Sequence, residues 1–550
     1  MNTKNKLNTT KETLQGMQHM LKMTKQRGFL THNASTKAKL LGLRNIARYR
    51  FSPASNLETA YQIAPNTTAI IDDNTQLTYA QLRHNARSLA QWLTNYAQQH
   101  NLKTHQLNYG ILARNSSGAA TAILARSYNG AIANMLNIQG SPEQINNLIQ
   151  QNNIKLIITD PEFLPKIPHN TDKIIINDTT TTPNPNHITL NHITQTTQKI
   201  KLPLIPKQTP YILYSSGTTG TPKGIQRKEP TFPVTLGAIL DNLDWHANQT
   251  IYIPCTLFHT WGIGALNIAI AGTCTMIMSR HFDPDKGMQI IQKYKCDGAV
   301  TSPIFYKNML DKKYDMSSLK WIGSGGNKVT PQLVHDVNQH FGRPILTTIY
   351  GSTEADLVAC AHPQQLANDP TTVGTPVTGV QVTIRDPQGN PLPQGKTGQI
   401  AIKSPMMLTG YTNPNKKPPY TQDGMLQMGD TGYIDNNNQL HVLGRSDSMI
   451  IVGGENVHPE SVTATIESMP DVAEAACIGV EDKDTFQRIA AYVVTHKPHT
   501  LTPKQIRQHV AQNLADHSIP RDVHFIDKLP RNIMGKIQIN QLTKLHNHPH

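Results

Sequence analysis

Residues 211–227 read YILYSSGTTGTPKGIQR, and this segment limits the fold more than any other. Tyr211 to Tyr214 have strand character. They run into ten residues drawn only from Gly, Ser, Thr, Pro and a single Lys. Glycines let the backbone curl until successive N–H groups converge on one point, an anion nest. The Ser and Thr hydroxyls add donors, and Lys223 adds a compact positive charge. A strand feeding such a loop is built to hold a polyphosphate. Its candidate ligands are Ser215, Ser216, Gly217, Thr218, Thr219, Gly220 and Lys223. It is not a Walker A loop, which needs Gly-Lys-Ser/Thr opening a helix; here Lys223 is followed by Gly224.

Around this loop, short apolar runs alternate with helical patterns. Ala69 to Ile71, Tyr109 to Leu112 and Lys155 to Thr159 read as strands. Stretches through Leu93 and from Ser117 to Tyr128 read as helices. The alternation predicts parallel α/β units. A turn-rich segment, Asp386 to Gly398, predicts a small β subdomain. With 550 residues, more than one domain is expected. The predicted class is α/β: a large N-terminal domain of α/β sheets plus a β subdomain, with a small mobile α+β C-terminal domain. We place a basic arm at 1–50, the N-terminal domain at 51–445 and the mobile domain at 446–545. The polar run Asp178 to Pro185 reads as a surface connection, and the closing HNHPH as a disordered tail.

Charge is unevenly spread. Residues 1–50 carry eleven Lys and Arg against Glu12 alone, most of the net +14 of the whole chain. Such an arm suits an anionic surface. It lacks aromatic residues before Phe29, which argues against base stacking and hence against nucleic acid. Leu14, Met17 and Leu21 at helical spacing beside Lys22 and Lys25 fit either a helix docked on the body or one lying on a membrane. The longest apolar run, Leu266 to Met278, is too short for a spanning helix. Without a secretory leader pattern, the expected location is the cytoplasm, with peripheral contact at the inner membrane face left open for the arm. Cys255, Cys274, Cys296, Cys360 and Cys477 form no C-x-x-C pair, so buried small apolar residues are expected, not zinc ligands.

Further stations follow the loop. SSGTTGTPKG resembles the phosphate loop of the adenylate-forming superfamily, which includes acyl-CoA synthetases, peptide-synthetase adenylation domains and firefly luciferase. Leu257 to Gly262 (LFHTWG) resembles its acid-pocket motif, and Tyr350 to Glu354 (YGSTE) its YGxTE motif. Gly429-Asp430-Thr431-Gly432 resembles its ribose motif, Gly444 to Asp447 its hinge, and Leu529 to Lys536 its catalytic-lysine loop. The resemblance covers about residues 55–543.

It implies an acid–thiol ligase that uses ATP and Mg²⁺ to make an acyl-adenylate and passes the acyl group to coenzyme A. The implied partners are therefore a small carboxylic acid, ATP and CoA. By the resemblance, Lys536, Thr353, Glu354 and His259 are the catalytic set, with Glu354 holding the metal. The phosphate loop, Tyr350, Asp430 and Arg445 bind nucleotide. Asp447 is the hinge, and Gly453 and Gly454 leave room for the pantetheine arm. Ile451 stands where the coumarate-ligase and luciferase branch has Lys, which points to the fatty-acyl branch. Gly262, Gly264, Gly325 and Gly326 near the pocket motifs leave space for a medium- or long-chain fatty acid. Two readings stay open beside this one: a ligase that loads a carrier protein, and a non-catalytic nucleotide- or membrane-binding protein.

Overall fold

A computed structural model describes residues 3–29, 36–169, 171, 173–177, 187–196, 200–215, 223–227, 233–310, 314–446, 448–452, 455–482, 485–498, 500–532 and 535–547. Among these residues the strands form four sheets. Two are large and mostly parallel, with nine and eight strands; one has four strands and one has five.

The parallel strands are buried on both faces and so read as continuous apolar runs rather than alternating ones. In the nine-stranded sheet, Ile251 pairs with Met276 on one side and Gly298 on the other, and Ile322 pairs with Leu346. Gly298 has a packing reason: a side chain there would strike the Trp321 ring, whose carbons lie 2.1 Å from the Cβ position. That ring stacks on Trp245 at 4.8 Å. The eight-stranded sheet sets Leu156, Tyr109 and Ala133 side by side in parallel, with Ile212 opposite Asn134 on the next strand. The four-stranded antiparallel sheet, Gln381–Arg385, Gly398–Lys403, Leu426–Ile434 and Leu440–Arg445, is the β subdomain expected around the turn at Asp386 to Gly398.

The small C-terminal domain has the fourth sheet, with a long hairpin, Val472–Asp482 against Phe486–Thr495. Helices Pro459–Glu467 and Pro503–Asn513 cover it around a separate core of Val462, Ile466, Ile489 and Ile506. This is the α/β class with a small α+β appendage that the sequence predicts. Two details differ. The helix expected to end at Leu93 continues to Gln99, because Tyr96 and Ala97 go on supplying buried positions. Of the expected tail, His546 and Asn547 belong to the helix Ile539–Asn547, where Leu542 is buried and His546 lies 3.9 Å from Asp522. The run 178–186 lies outside the described residues.

The arm docks on the body. Helix α1 (Thr3–Gln26) packs along helix Val234–Asn242, burying Met20, Met23 and Thr24. Gly237 permits the approach, since a Cβ there would lie 2.8 Å from the Met20 Cα. Arg27 then donates to the Leu240 carbonyl at 2.9 Å and pairs with Asp244 at 2.6 Å. Helix α2 (Thr36–Tyr49) rests on α3 (Pro53–Ile63), with Asn45 donating to Thr59 and Gln62 at 3.1 Å each. Leu14, Leu21, Leu40 and Leu43 stay exposed. No described helix is long and apolar enough to cross a membrane.

Candidate active site

The YGSTE segment is a turn whose shape its own residues dictate. Strand Leu346–Ser352 turns into antiparallel Asp356–Ala361, with a register shift between Tyr350 and Gly351. Asp356 takes a left-handed conformation, φ +67°. At Gly351 a Cβ would sit 2.0 Å from the Asp356 carbonyl oxygen, so only glycine lets the turn close. Ser352 Oγ accepts from the Ala355 N–H at 3.1 Å. Arg227, buried at the end of a strand of the eight-stranded sheet, donates to the Thr353 carbonyl at 2.9 Å and pairs with Asp356 at 3.2 Å. Leu408 N–H donates to the Glu354 carbonyl at 2.8 Å. The backbone is thus fixed at both residues, whose side chains line the central cavity.

Beside that turn, Tyr350 donates its hydroxyl to Asp430 Oδ2 at 2.5 Å, and Arg445 reaches Asp430 Oδ1 at 3.3 Å. Burial, then the Asp430 charge, raises the Tyr350 pKa well above the ordinary tyrosine value, so the phenol remains a donor. Gly429, at φ +73°, leaves room for the Arg445 guanidinium, 2.8 Å from where its Cβ would be. Asp430 is thus an acceptor held at the cavity wall by a phenol and a guanidinium.

The phosphate-loop strand Tyr211–Ser215 pairs antiparallel with Lys223–Arg227, in register Ser215 to Lys223. The loop therefore closes a hairpin instead of opening a helix, which is the structural reason that it departs from Walker A. Ser216, Gly217, Thr218, Thr219 and Gly220 lie outside the described residues, as do Asp447, Gly453 and Gly454. Ser215 is placed at the end of its strand and Lys223 lines the cavity. A second cation stands next to it. Burial, then the Lys223 charge, holds the Lys416 ammonium below the usual lysine range, with Glu354 close enough to pull the other way. Two ammonium groups held together, with a carboxylate at hand, suit a polyphosphate carrying a hard, oxygen-liking cation. By that donor set, ATP with Mg²⁺ fits.

His259 sits at the N-cap of the pocket helix Thr260–Ala271 without capping it. It lines the cavity, yet the surrounding protein lowers its pKa to about 4. The imidazole is neutral at working pH. The unfolded chain keeps an ordinary value near 6.5, so between pH 4 and 6.5 the unfolded state holds a proton that the folded state lacks, and stability rises with pH there. Urea unfolding at pH 7 and pH 4.5 should show wild type losing roughly 2–3 kcal/mol more than His259→Gln. Equal losses would place His259 in a wetter setting than this one.

The pocket glycines have different roles. Gly262 closes the helix against backbone, since a Cβ there would lie 2.2 Å from the Thr256 carbonyl oxygen. The sequence reading of Gly262 as open space is corrected on that ground. At Gly325 a Cβ would meet Trp261 at 3.4 Å, whereas at Gly264 it would meet nothing within 4 Å.

Lys536 comes from the small domain. Its N–H donates to Asn532 Oδ1 and its carbonyl accepts from the Asn532 N–H, both at 2.9 Å. Arg531 donates to the Gly535 carbonyl at 2.5 Å and pairs with Glu474 at 3.1 Å. Gly535 takes φ +72°, which glycine allows freely. The result is a tight loop that places Lys536 on the wall of the same cavity, about 2620 Å³, that Lys223, Glu354, Tyr350, Asp430 and His259 line. Lys307 of the large domain donates to the Ala473 carbonyl and lies 3.7 Å from Glu474, joining the two domains at that orientation.

The AMP-binding enzyme family model matches residues 57–412, and the AMP-binding enzyme C-terminal domain model matches 461–536. The chain belongs to this family. These are the adenylate-forming enzymes of the sequence resemblance, and the acid–thiol ligase class assigned there stands. Among curated relatives, the chain is 29% identical over 454 residues to a 4-coumarate–CoA ligase of Vanilla planifolia, covering 78% of this chain and 82% of that one. It is 28% identical over 499 residues to a 2-succinylbenzoate–CoA ligase of Bacillus licheniformis, covering 88% and 98%. Coumarate ligases thus stand among its similar relatives. The fold matches that of the anthranilate CoA ligase AuaEII with anthranoyl-AMP, at TM-score 0.78 and 22% identity over 90% of this chain and 96% of that one. It also matches the amide bond synthetase McbA from Marinactinospora thermotolerans, at TM-score 0.75 and 23% identity over 87% and 96%.

Arg227 and Lys416 are the site residues that sequence reasoning missed. Arg227 acts on Thr353, 126 positions away, and no local pattern marks it. Lys416 lies in a run, NPNKKPP, that reads as solvated loop.

Proposed function

We propose that this AMP-binding enzyme joins a medium- or long-chain fatty acid to AMP, using ATP and Mg²⁺, and then transfers the acyl group to coenzyme A. The observation that carries the reading is the single cavity holding Lys536 from one domain and Lys223, Glu354 and Thr353 from the other. The first step joins two anions, so a site for it must neutralise charge and hold the carboxylate in line with the departing pyrophosphate. In this reading Lys223, Lys416 and the loop residues Ser215 to Gly220 hold the outer phosphates. Glu354 holds Mg²⁺, which screens the phosphate charge. Thr353 donates to the α-phosphate, Tyr350 packs on adenine, and Asp430 and Arg445 take the ribose. Lys536 quiets the charge that develops between the carboxylate and the α-phosphate. His259, being neutral, positions the acid without competing for the role of cation.

For the second step we place the hinge at Asp447, with domain boundaries at 50/51 and 445/446. Rotation there withdraws Lys536 and admits the thiol past Gly453 and Gly454. For the arm we propose contact with an anionic bilayer surface. Exposed Leu14, Leu40 and Leu43 beside the arm's basic residues support it. Sedimentation with vesicles that requires anionic lipid and is lost at high salt would bear this out. Binding that ignores lipid charge would not.

A second reading of the acid has its own support. Curated relatives are named for coumarate and succinylbenzoate. Trp261 lines the pocket, and the buried side-chain oxygen of Asn267 has no hydrogen-bond partner. An aromatic acid with a hydroxyl group would stack on the first and donate to the second. A pyrophosphate-release screen over straight-chain acids of rising length and over hydroxylated aromatic acids, with CoA, a phosphopantetheinylated carrier protein or neither, separates these readings. Release with straight-chain acids, and thioester product with CoA alone, is the expected result. Release confined to aromatic acids moves the chain to the second reading. Release with neither class overturns the adenylate chemistry.

A further inference from the structure

The matched family body begins at residue 57, so α1, α2 and the start of α3 lie outside it. They nevertheless line the same cavity as the active site. From His259 the cavity passes Gly264, where the space beside the helix is open, and reaches Ala271. Thr59 of α3, Gly42 and Ile46 of α2, and Leu21 of α1 line the same cavity, with α3 packed on the pocket helix and α2 on α3. Leu21 and Leu43 line the cavity and are also 51% and 64% exposed, so the outer end opens among apolar side chains of the arm. The wall they form is anchored. Arg27 and Asp244 hold α1, while Asn45 and the buried Tyr49, edge-on to Tyr128 at 5.5 Å, hold α2.

We propose that α1 and α2 complete an apolar channel for the hydrocarbon tail of the acid, which makes the arm a determinant of chain length. The inference rests on the fatty-acid reading above and names the part of the chain that would set the length. The tail would run outward between α2 and the pocket helix, passing Gly42 on one side and Gly264 on the other. These two glycines are where a longer side chain would meet it. Neither has a left-handed backbone, and a Cβ at Gly42 would make only ordinary contact, 3.6 Å from Thr59. Both helices can therefore carry a larger residue, and helical Gly is intrinsically unfavourable in any case.

The test is the profile of kcat/KM for adenylation, by pyrophosphate release, across straight-chain acids from hexanoate to palmitate. It uses the full-length protein, Gly42→Phe and Gly264→Phe. Each methylene moved from water into an apolar channel is worth about fourfold in binding. Wild type should climb with length, and both variants should stop climbing at a shorter acid. The palmitate-to-octanoate ratio should fall at least tenfold in each. A variant that is merely destabilised lowers both acids together and keeps the ratio. Melting temperatures identify such a case, and the variant on the opposite wall then carries the test. Ratios at the wild-type value in folded variants overturn the channel while leaving the fatty-acid reading intact. A wild type that activates no straight-chain acid of any length overturns both, and is distinguished by its failure before any substitution is made.

Discussion

Lys536→Ala should lose acyl-adenylate formation by about 10²–10³-fold, the size seen when one preorganised charge-stabilising donor is removed from a reaction centre. The same variant should still pass the acyl group from supplied acyl-AMP to CoA at close to the wild-type rate. The asymmetry follows from the location of the residue. Lys536 sits on a small-domain loop tied by Asn532 and Arg531, and it reaches the cavity only through the present orientation of that domain. If rotation at the hinge removes it for the second step, deleting its ammonium cannot harm that step. Pyrophosphate exchange reads the first half-reaction, and single-turnover thioester formation from synthetic acyl-AMP reads the second. Equal loss in both would mean that one fixed arrangement serves the whole reaction.

Gly351→Ala should be the single-methyl change in the YGSTE turn that most damages catalysis. The added carbon would lie 2.0 Å from the Asp356 carbonyl oxygen, which belongs to backbone and cannot rotate away. The turn must open. Opening it pulls on the Asp356 carboxylate that Arg227 holds and on the Thr353 carbonyl that the same guanidinium binds. Disturbing a buried charge pair of this kind costs about 3 kcal/mol. The catalytic loss should exceed the stability loss, because Thr353 and Glu354 are the side chains displaced. We expect adenylation to fall about a hundredfold, with a folded protein and a higher Mg²⁺ requirement. Arg227→Met, which spares Gly351 but frees the same turn, should reproduce the Mg²⁺ effect. Full activity in both variants would show that the turn is held by other means.

The stations of the site were legible because each packs its chemistry into a few consecutive residues. The phosphate loop announces itself by composition, the YGSTE turn and the Gly-Asp-Thr-Gly strand are recognised through their resemblance to the family motifs, and parallel strands such as Ile157 and Ile158 read as apolar runs. What escaped reading was long-range. Arg227 looks like the end of a strand, yet its partners lie more than 120 positions on, and nothing in a single sequence states that register. Gly262 and Gly264 differ by two positions and look alike in the string. Only the fold reveals that one touches a carbonyl and the other faces open space. The arm is the third case. The sequence left open whether it docks on the body or lies on a membrane; Met20, Met23 and Thr24 dock, and the glycine that admits them, Gly237, stands more than two hundred residues away.

The five cysteines are all buried, and burial pushes every thiol up to about 12. Their thiolate population near neutrality is negligible, and reaction with maleimides needs the thiolate. A cysteine placed at exposed Lys396 and another at exposed Lys504 would therefore take fluorophores with the native set left in place. Energy transfer between those dyes, followed as ATP, acid and CoA are added in turn, would time the rotation proposed at the hinge in an otherwise unaltered chain.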